Sequence, residues 1–145
     1  MAITQAMCTS FKQALLDGEM DFSSNTAQTF KIALYTSSAT LAAATTAYTT
    51  SNEVTGTGYS AGGNTLTIST NPTNGGSGTT VFLSFANTTW TSSTITARGA
   101  LVYQSGGSNP SVAVLDFGAD KSSSNGDFQI QFPTADATSA IIRIA

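Results

Sequence analysis

Residues 96–132 read TARGALVYQSGGSNPSVAVLDFGADKSSSNGDFQIQF, and this stretch decides the fold class. Ala97 to Tyr103, Val112 to Phe117 and Phe128 to Phe132 are apolar or alternating runs. The connectors Ser105 to Asn109 and Ala119 to Gly126 hold the Gly, Asn, Ser and Asp that supply turn geometry. The pattern predicts three strands joined by two polar turns, an antiparallel meander. Phe128, Ile130 and Phe132 fall on one side of a pleat and Gln129 and Gln131 on the other, giving a core face and a wet face. No catalytic constellation sits on this stretch.

Upstream, Ile3, Ala6, Met7, Phe11, Ala14 and Leu15 recur at helical spacing, and Gly18 stands where a C-terminal cap belongs. The spacing predicts an amphipathic helix within residues 1–18, roughly Thr4 to Asp17, with Cys8 as a small buried hydrophobe. Its apolar stripe covers a sheet edge, an open sandwich end or a partner subunit. TFKIALYT at Thr29 to Thr36 alternates cleanly and predicts a strand. Residues 37–63, SSATLAAATTAYTTSNEVTGTGYSAGG, form a long small-residue loop with Leu41, Tyr48, Val54 and Tyr59 as anchors. A loop of that length is either folded over its own sheet or an arm reaching a neighbouring subunit.

NTLTIST, with Leu66 and Ile68 inward, TTVFLSFA, in which Val81, Leu83 and Phe85 alternate with Phe82 and Ser84, and the closing SAIIRIA, with Ile142 and Ile144 on one face and Ile141 and Arg143 on the other, add further strands. Trp90, alone in NTTWTSST, reads as a core plug or an interface anchor. Seven or eight strands with turn signals between them predict a mainly β chain. The architecture expected for residues 1–145 is one antiparallel β-sandwich or jelly-roll domain with a single N-terminal helix.

Charged residues make up 9% of the 145 residues, where average soluble proteins have about a quarter. Ser, Thr, Gly and Asn fill the surface instead. Such a surface loses little when buried against a neighbour, which suits a subunit of an assembly. The net charge is −3 and the five basic residues are scattered, so no phosphate-binding stripe forms and nucleic acid is disfavoured as a partner. No run approaches the ~20 apolar residues of a membrane helix. The N-terminus lacks the basic and apolar regions of a signal peptide, which predicts synthesis and folding in a cytoplasm.

With no histidine, Ser-His-Asp and Cys-His nucleophile pairs are excluded. Catalysis would rest on carboxylates, of which Asp116, Asp120 and Asp127 come nearest to a cluster; three such groups can hold Ca²⁺, but turn formation explains the same residues. The Asp116-Phe117-Gly118 tripeptide lacks every companion of the kinase magnesium motif. Gly56-Thr57-Gly58 with Gly62-Gly63 lacks the strand and helix of a phosphate cradle. The sequence therefore predicts no catalytic residues, no metal and no cofactor. Arg98 and Arg143 are each the only charge in an otherwise apolar or small strand; each is either a solvated edge residue or a contact between subunits.

The segments MAITQAMCTSFKQALLDGEMDF, TFKIALYTSSATL, NEVTGTGYSAGGNTL, TARGALVY, VAVLDFGADK, FQIQFP and IIRIA, taken together, resemble small virion proteins of tailed bacteriophages, particularly those of aquatic and marine bacteria. The resemblance spans nearly the whole chain. It implies a non-enzymatic β-rich structural protein, a capsid cement or decoration protein on the outer capsid surface of the virion. It further implies a homo-oligomer, a trimer, contacting itself and the major capsid protein, made in the cytoplasm of the bacterial host. A tail or fibre-associated component and a carbohydrate-binding module for host recognition are the alternatives. The contact residues expected for the cement role are Met7, Phe11, Leu15, Tyr48, Tyr59, Trp90, Arg98 and Arg143.

Overall fold

In the computed structural model, which describes residues 2–145, the elements in order are β1 (Ala6–Met7), α1 (Thr9–Leu16), β2 (Thr29–Tyr35), β3 (Asn64–Thr65), β4 (Ile68–Thr73), β5 (Val81–Phe85), β6 (Thr88–Ser105), β7 (Ser111–Ile130) and β8 (Ile142–Ile144). Met1, first residue of the expected helical segment, lies outside the described residues. The strands form two antiparallel sheets, β1-β7-β6-β2-β3 and β4-β5-β8. Side chains from both contribute to one buried cluster. The mainly β class, the eight strands and the one helix among the described residues are as the sequence predicts, and two antiparallel sheets of five and three strands are consistent with a β-sandwich.

The 96–132 stretch, however, belongs to one long hairpin rather than a meander. β6 and β7 pair from Tyr103↔Ser111 at the turn to Thr88↔Ile130 at the far end. The polar run after Phe117 reads as a turn in sequence, but β6 offers it an equally polar partner. Ser93 Oγ meets Ser123 Oγ at 2.7 Å and Thr96 Oγ1 meets Ser122 Oγ at 2.8 Å, so hydroxyls carry the cross-strand pairing that apolar side chains carry elsewhere. The turn-forming residues are used for bulges instead: Ser92, Gly118 and Asn125 have positive φ within the strands. The bulge after Trp90 also changes which residues point inward, so Trp90, Ser93 and Ile95 are all buried.

The expected helix is correct in its second half only. Ile3, Ala6 and Met7 are extended: Ile3 bridges Leu41, and β1 pairs with β7 through Ala6↔Val114 and Met7↔Ala113. The edge of β7 needs a hydrogen-bonding partner, and that demand overrides the 3.6-residue periodicity of the first residues. Cys8, extended and fully buried, then hands over to α1. The helix ends at Gly18 as predicted, with φ of 73°. The Glu19 N–H donates to the Ala14 carbonyl (2.8 Å) and the Gly18 N–H to the Leu15 carbonyl (3.3 Å), the paired bonds of a Schellman cap.

Phe22 sits at the join of helix and sheets. Its ring stacks on Phe30 of β2 at 4.1 Å, meets Phe11 of α1 edge-on at 5.8 Å and approaches Phe85 of β5 at 6.4 Å. Such aromatic pairs add about 0.5–1.5 kcal/mol each beyond area burial.

Sheet edges are managed unequally. β4 is an edge strand, which tolerates Pro72, and the Asn25 carboxamide pairs with both the N–H (2.6 Å) and the carbonyl (3.3 Å) of Ile68. The outer side of β7 is broken up by its bulges. β8 ends the smaller sheet with β5 on one side only; Ile142 is buried in the core, while Arg143 and Ile144 are exposed. Among the described residues no helix is long and apolar enough to cross a membrane.

Candidate interaction surface

The long loop of residues 37–63 is folded over its own sheet. It is bridged to the rest of the chain at Ile3↔Leu41, Tyr35↔Glu53, Ala47↔Pro110 and Thr57↔Thr94. Its hub is Glu53, a buried carboxylate. Oε1 accepts from the Tyr59 hydroxyl (2.6 Å) and the Gly62 N–H (2.7 Å), and Oε2 accepts from the Tyr48 hydroxyl (2.7 Å). Around it, the Tyr103 hydroxyl donates to the Gly62 carbonyl (2.7 Å), the Tyr35 hydroxyl to the Thr49 carbonyl (2.6 Å), and Tyr48 stacks on Tyr103 at 4.7 Å. Burial pushes the hydroxyls of Tyr35, Tyr48 and Tyr59 well above the ordinary tyrosine range, reinforced for the last two by their hydrogen bonds to Glu53. Tyr103 moves the same way, by burial first and the charge of Glu53 second. This constellation pins a loop. Tyr48 and Tyr59, expected as carriers of intersubunit contact, are engaged within their own chain.

Arg98 is likewise occupied internally. Between the pairs Ala97↔Lys121 and Gly99↔Asp116, β7 inserts Phe117 to Asp120 opposite the single residue Arg98. The two carboxylates bounding that bulge lean on the guanidinium: Nε lies 3.8 Å from Asp116 Oδ1 and Nη1 3.9 Å from Asp120 Oδ1. All three side chains are at least a third solvent-exposed or close to it, so each pair contributes at most about 1 kcal/mol. Asp127 does not join them, and among the described residues no three acidic, Cys or His side chains gather as a metal site. A Ca²⁺ cluster of Asp116, Asp120 and Asp127 is therefore not formed.

Phe11 and Trp90 also depart from expectation. Both face the core of their own chain, at 0% and 3% exposure, because α1 packs Phe11 against Phe22 and the β6 bulge turns Trp90 toward Phe128 and Tyr59. Neither is available to a neighbour as a surface contact. Cys8 is buried as predicted, and burial pushes its thiol up against a smaller opposing effect of Ser111.

An apolar groove of about 230 Å³ runs between α1 and the β5–β8 strands, lined by Leu15, Met20, Val81, Phe82 and Ile144 among others. The exposed large apolar side chains of the described residues are Leu16 (91%), Val81 (44%) and Ile144 (53%). Val81 and Ile144 are cross-strand partners on one wall, and Leu16 follows the lining residue Leu15 at the end of α1. Asp21 lines the same groove, its carboxylate lowered below the usual range by the hydroxyl and N–H of Ser23. Met7 and Arg143, both expected contact residues, line a neighbouring cleft with Ile141. Met7 and Arg143 thus share a cleft separate from the groove that Leu15 lines, Arg143 standing on the face of β8 opposite Ile142 and Ile144. Sequence reading did not single out Leu16, Val81 and Ile144 as exposed, since alternation places the last two on a strand face without showing how far that face is covered.

Comparison of the chain with protein-family models, with curated proteins and with solved structures finds no match.

Proposed function

We propose that this chain is a non-enzymatic structural protein of a bacteriophage virion, a cement or decoration protein that bridges neighbouring capsomers on the outer shell. It acts as a homo-oligomer, a trimer, seated on the major capsid protein. The observation that carries this reading is the apolar groove between α1 and β8, with Val81 and Ile144 exposed on its wall and Leu16 exposed at the end of α1, on a surface otherwise rich in hydroxyls and amides. Contiguous exposed apolar surface marks a site of association. The sequence resemblance set out above supplies the virion context.

A cement protein adds buried area across a boundary, and modest contacts per copy become large when many copies act on one shell. No active site is needed for that work. The carbohydrate-binding alternative needs aromatic rings standing free on a sheet face, whereas Trp90 and Tyr103 are each 3% exposed. The carboxylates Asp116 and Asp120, best placed for a hydrolase reading, both lean on Arg98.

The test is light scattering of the purified protein together with co-sedimentation on expanded capsids that lack it. A trimer binding shells at a fixed ratio supports the cement role. A protein that ignores shells overturns it and leaves the tail or fibre reading.

A further inference from the structure

We infer that two copies of this chain pair along the free edge of β7, antiparallel and centred on Gln129, so that their larger sheets run on as one. This goes beyond the cement reading: a two-fold contact does not close a trimer, and it joins either single chains or neighbouring trimers in pairs. The outer side of β7 is covered at one end only. β1 pairs with Ala113 and Val114, and the Gln5 carboxamide oxygen accepts from the Asp116 N–H (3.3 Å). Further along, among the described residues, no strand lies against it, and an open trough of about 450 Å³ lined by Phe117, Lys121 and residues 127–131 follows the edge. A row of unpaired main-chain groups is a template for another strand, so the edge itself specifies what covers it.

The partner and the register follow from the strand itself. Thr89 O accepts from Asn64 Nδ2 (3.2 Å), and a Cβ on Gly58 would stand 3.1 Å from the Thr91 carbonyl oxygen, so both carbonyls face away from β7. Alternation then gives the bonds between β6 and β7 to the pairs Thr88↔Ile130 and Trp90↔Phe128. The N–H and C=O of Gln129 are turned outward, with those of Asp127 and Gln131. The regular stretch is bounded by Asn125, a bulge with φ of 49°, and by Pro133, which has no N–H. Its midpoint is Gln129. About that midpoint the stretch is complementary to itself: Phe128 meets Ile130 of the second copy on the core face, and Asp127 meets Gln131 on the exposed face. No charge faces its own kind, and the two Gln129 residues exchange a pair of main-chain hydrogen bonds.

The experiment is light scattering of the full chain and of Gln129→Pro, which removes the outward N–H and leaves the bonds to β6 in place, with circular dichroism to check folding. The expected result is a parent mass at an even multiple of the 14.8 kDa chain, halved by the substitution. Cysteine pairing reads the register independently of that variant. In the antiparallel ladder the two Gln129 Cα atoms stand about 5.5 Å apart, within disulfide reach, and the two Gln131 Cα atoms more than about 10 Å apart. Mild oxidation should therefore cross-link Gln129→Cys as a dimer on a non-reducing gel and leave Gln131→Cys largely single, Cys8 being buried. A monomeric parent, or a Gln129→Cys chain that cross-links no better than Gln131→Cys, overturns the contact. Co-sedimentation with shells separates this from the cement reading. A trimer that binds shells without cross-linking through residue 129 overturns the edge contact alone, whereas cross-linked pairs that ignore shells overturn the cement role and support the contact.

Discussion

Replacing Glu53 with alanine removes the acceptor for three hydrogen bonds of 2.6–2.7 Å, from Tyr48, Tyr59 and Gly62. Hydrogen bonds to a charged group contribute about 1.5–3 kcal/mol each, a gross loss of roughly 5–9 kcal/mol. Removing a buried carboxylate also returns several kcal/mol of its desolvation cost. The two half-buried tyrosines can turn to water, whereas the Gly62 N–H stays buried and costs about 1–3 kcal/mol unpaired. The expected net destabilisation is about 2–4 kcal/mol, or a fall in Tm of roughly 5–15 °C for a chain of this size. Glu53→Gln keeps one acceptor oxygen and costs about 1–2 kcal/mol. Urea titration followed by Trp90 fluorescence measures the loss, and thermolysin digestion reads whether cleavage moves to residues 37–63. An alanine variant within about 0.5 kcal/mol of the parent, with the loop equally resistant, refutes the assignment of Glu53 as the hub.

Raised hydroxyls on Tyr35, Tyr48, Tyr59 and Tyr103 mean that the native state holds protons that the unfolded chain releases. Their contribution is fully present below the unfolded tyrosine value near 10 and is lost as pH rises from there toward the folded values, at about 1.4 kcal/mol per pH unit for each group. Absorbance of tyrosinate should therefore appear together with unfolding in an alkaline titration, and four independent tyrosinates forming near pH 10 in a folded protein would contradict the buried cluster. Gly63→Ala places a Cβ 1.7 Å from the Ile32 carbonyl oxygen at a φ of 73°, so the chain must move its backbone; loss of soluble folded protein is expected, and a variant with unchanged Tm would refute the close approach of loop and β2.

Where local pattern and tertiary demand agree, the sequence could be read directly. β2 lies at Thr29–Tyr35 because Phe30, Ile32 and Leu34 alternate and nothing competes for that backbone. The first residues and the Ala119 to Gly126 run misled for the same reason as each other. Helical spacing in one and turn chemistry in the other were overridden by strand partners far away in the chain, at Ala113–Val114 and Ser93–Ala97. Glu53 looked like one carboxylate among eight, since the tyrosines that define it converge only when the loop folds back. The groove was equally hidden. Leu15, Val81 and Ile144 come from three separate segments, and no periodicity links them.

The pairing of β1 with β7 has a consequence for how the protein is made. Ala6 and Met7 find their partners at Val114 and Ala113, so the first strand waits for most of the chain to be synthesised. At about 5–20 residues per second, translating the roughly one hundred residues between them takes about 5–20 s. During that time Met7 and Leu15 have no finished sheet to cover. Pairings so distant in sequence also slow the search for the native state after release. The N-terminal segment therefore gains its strand partner only once β7 has been made.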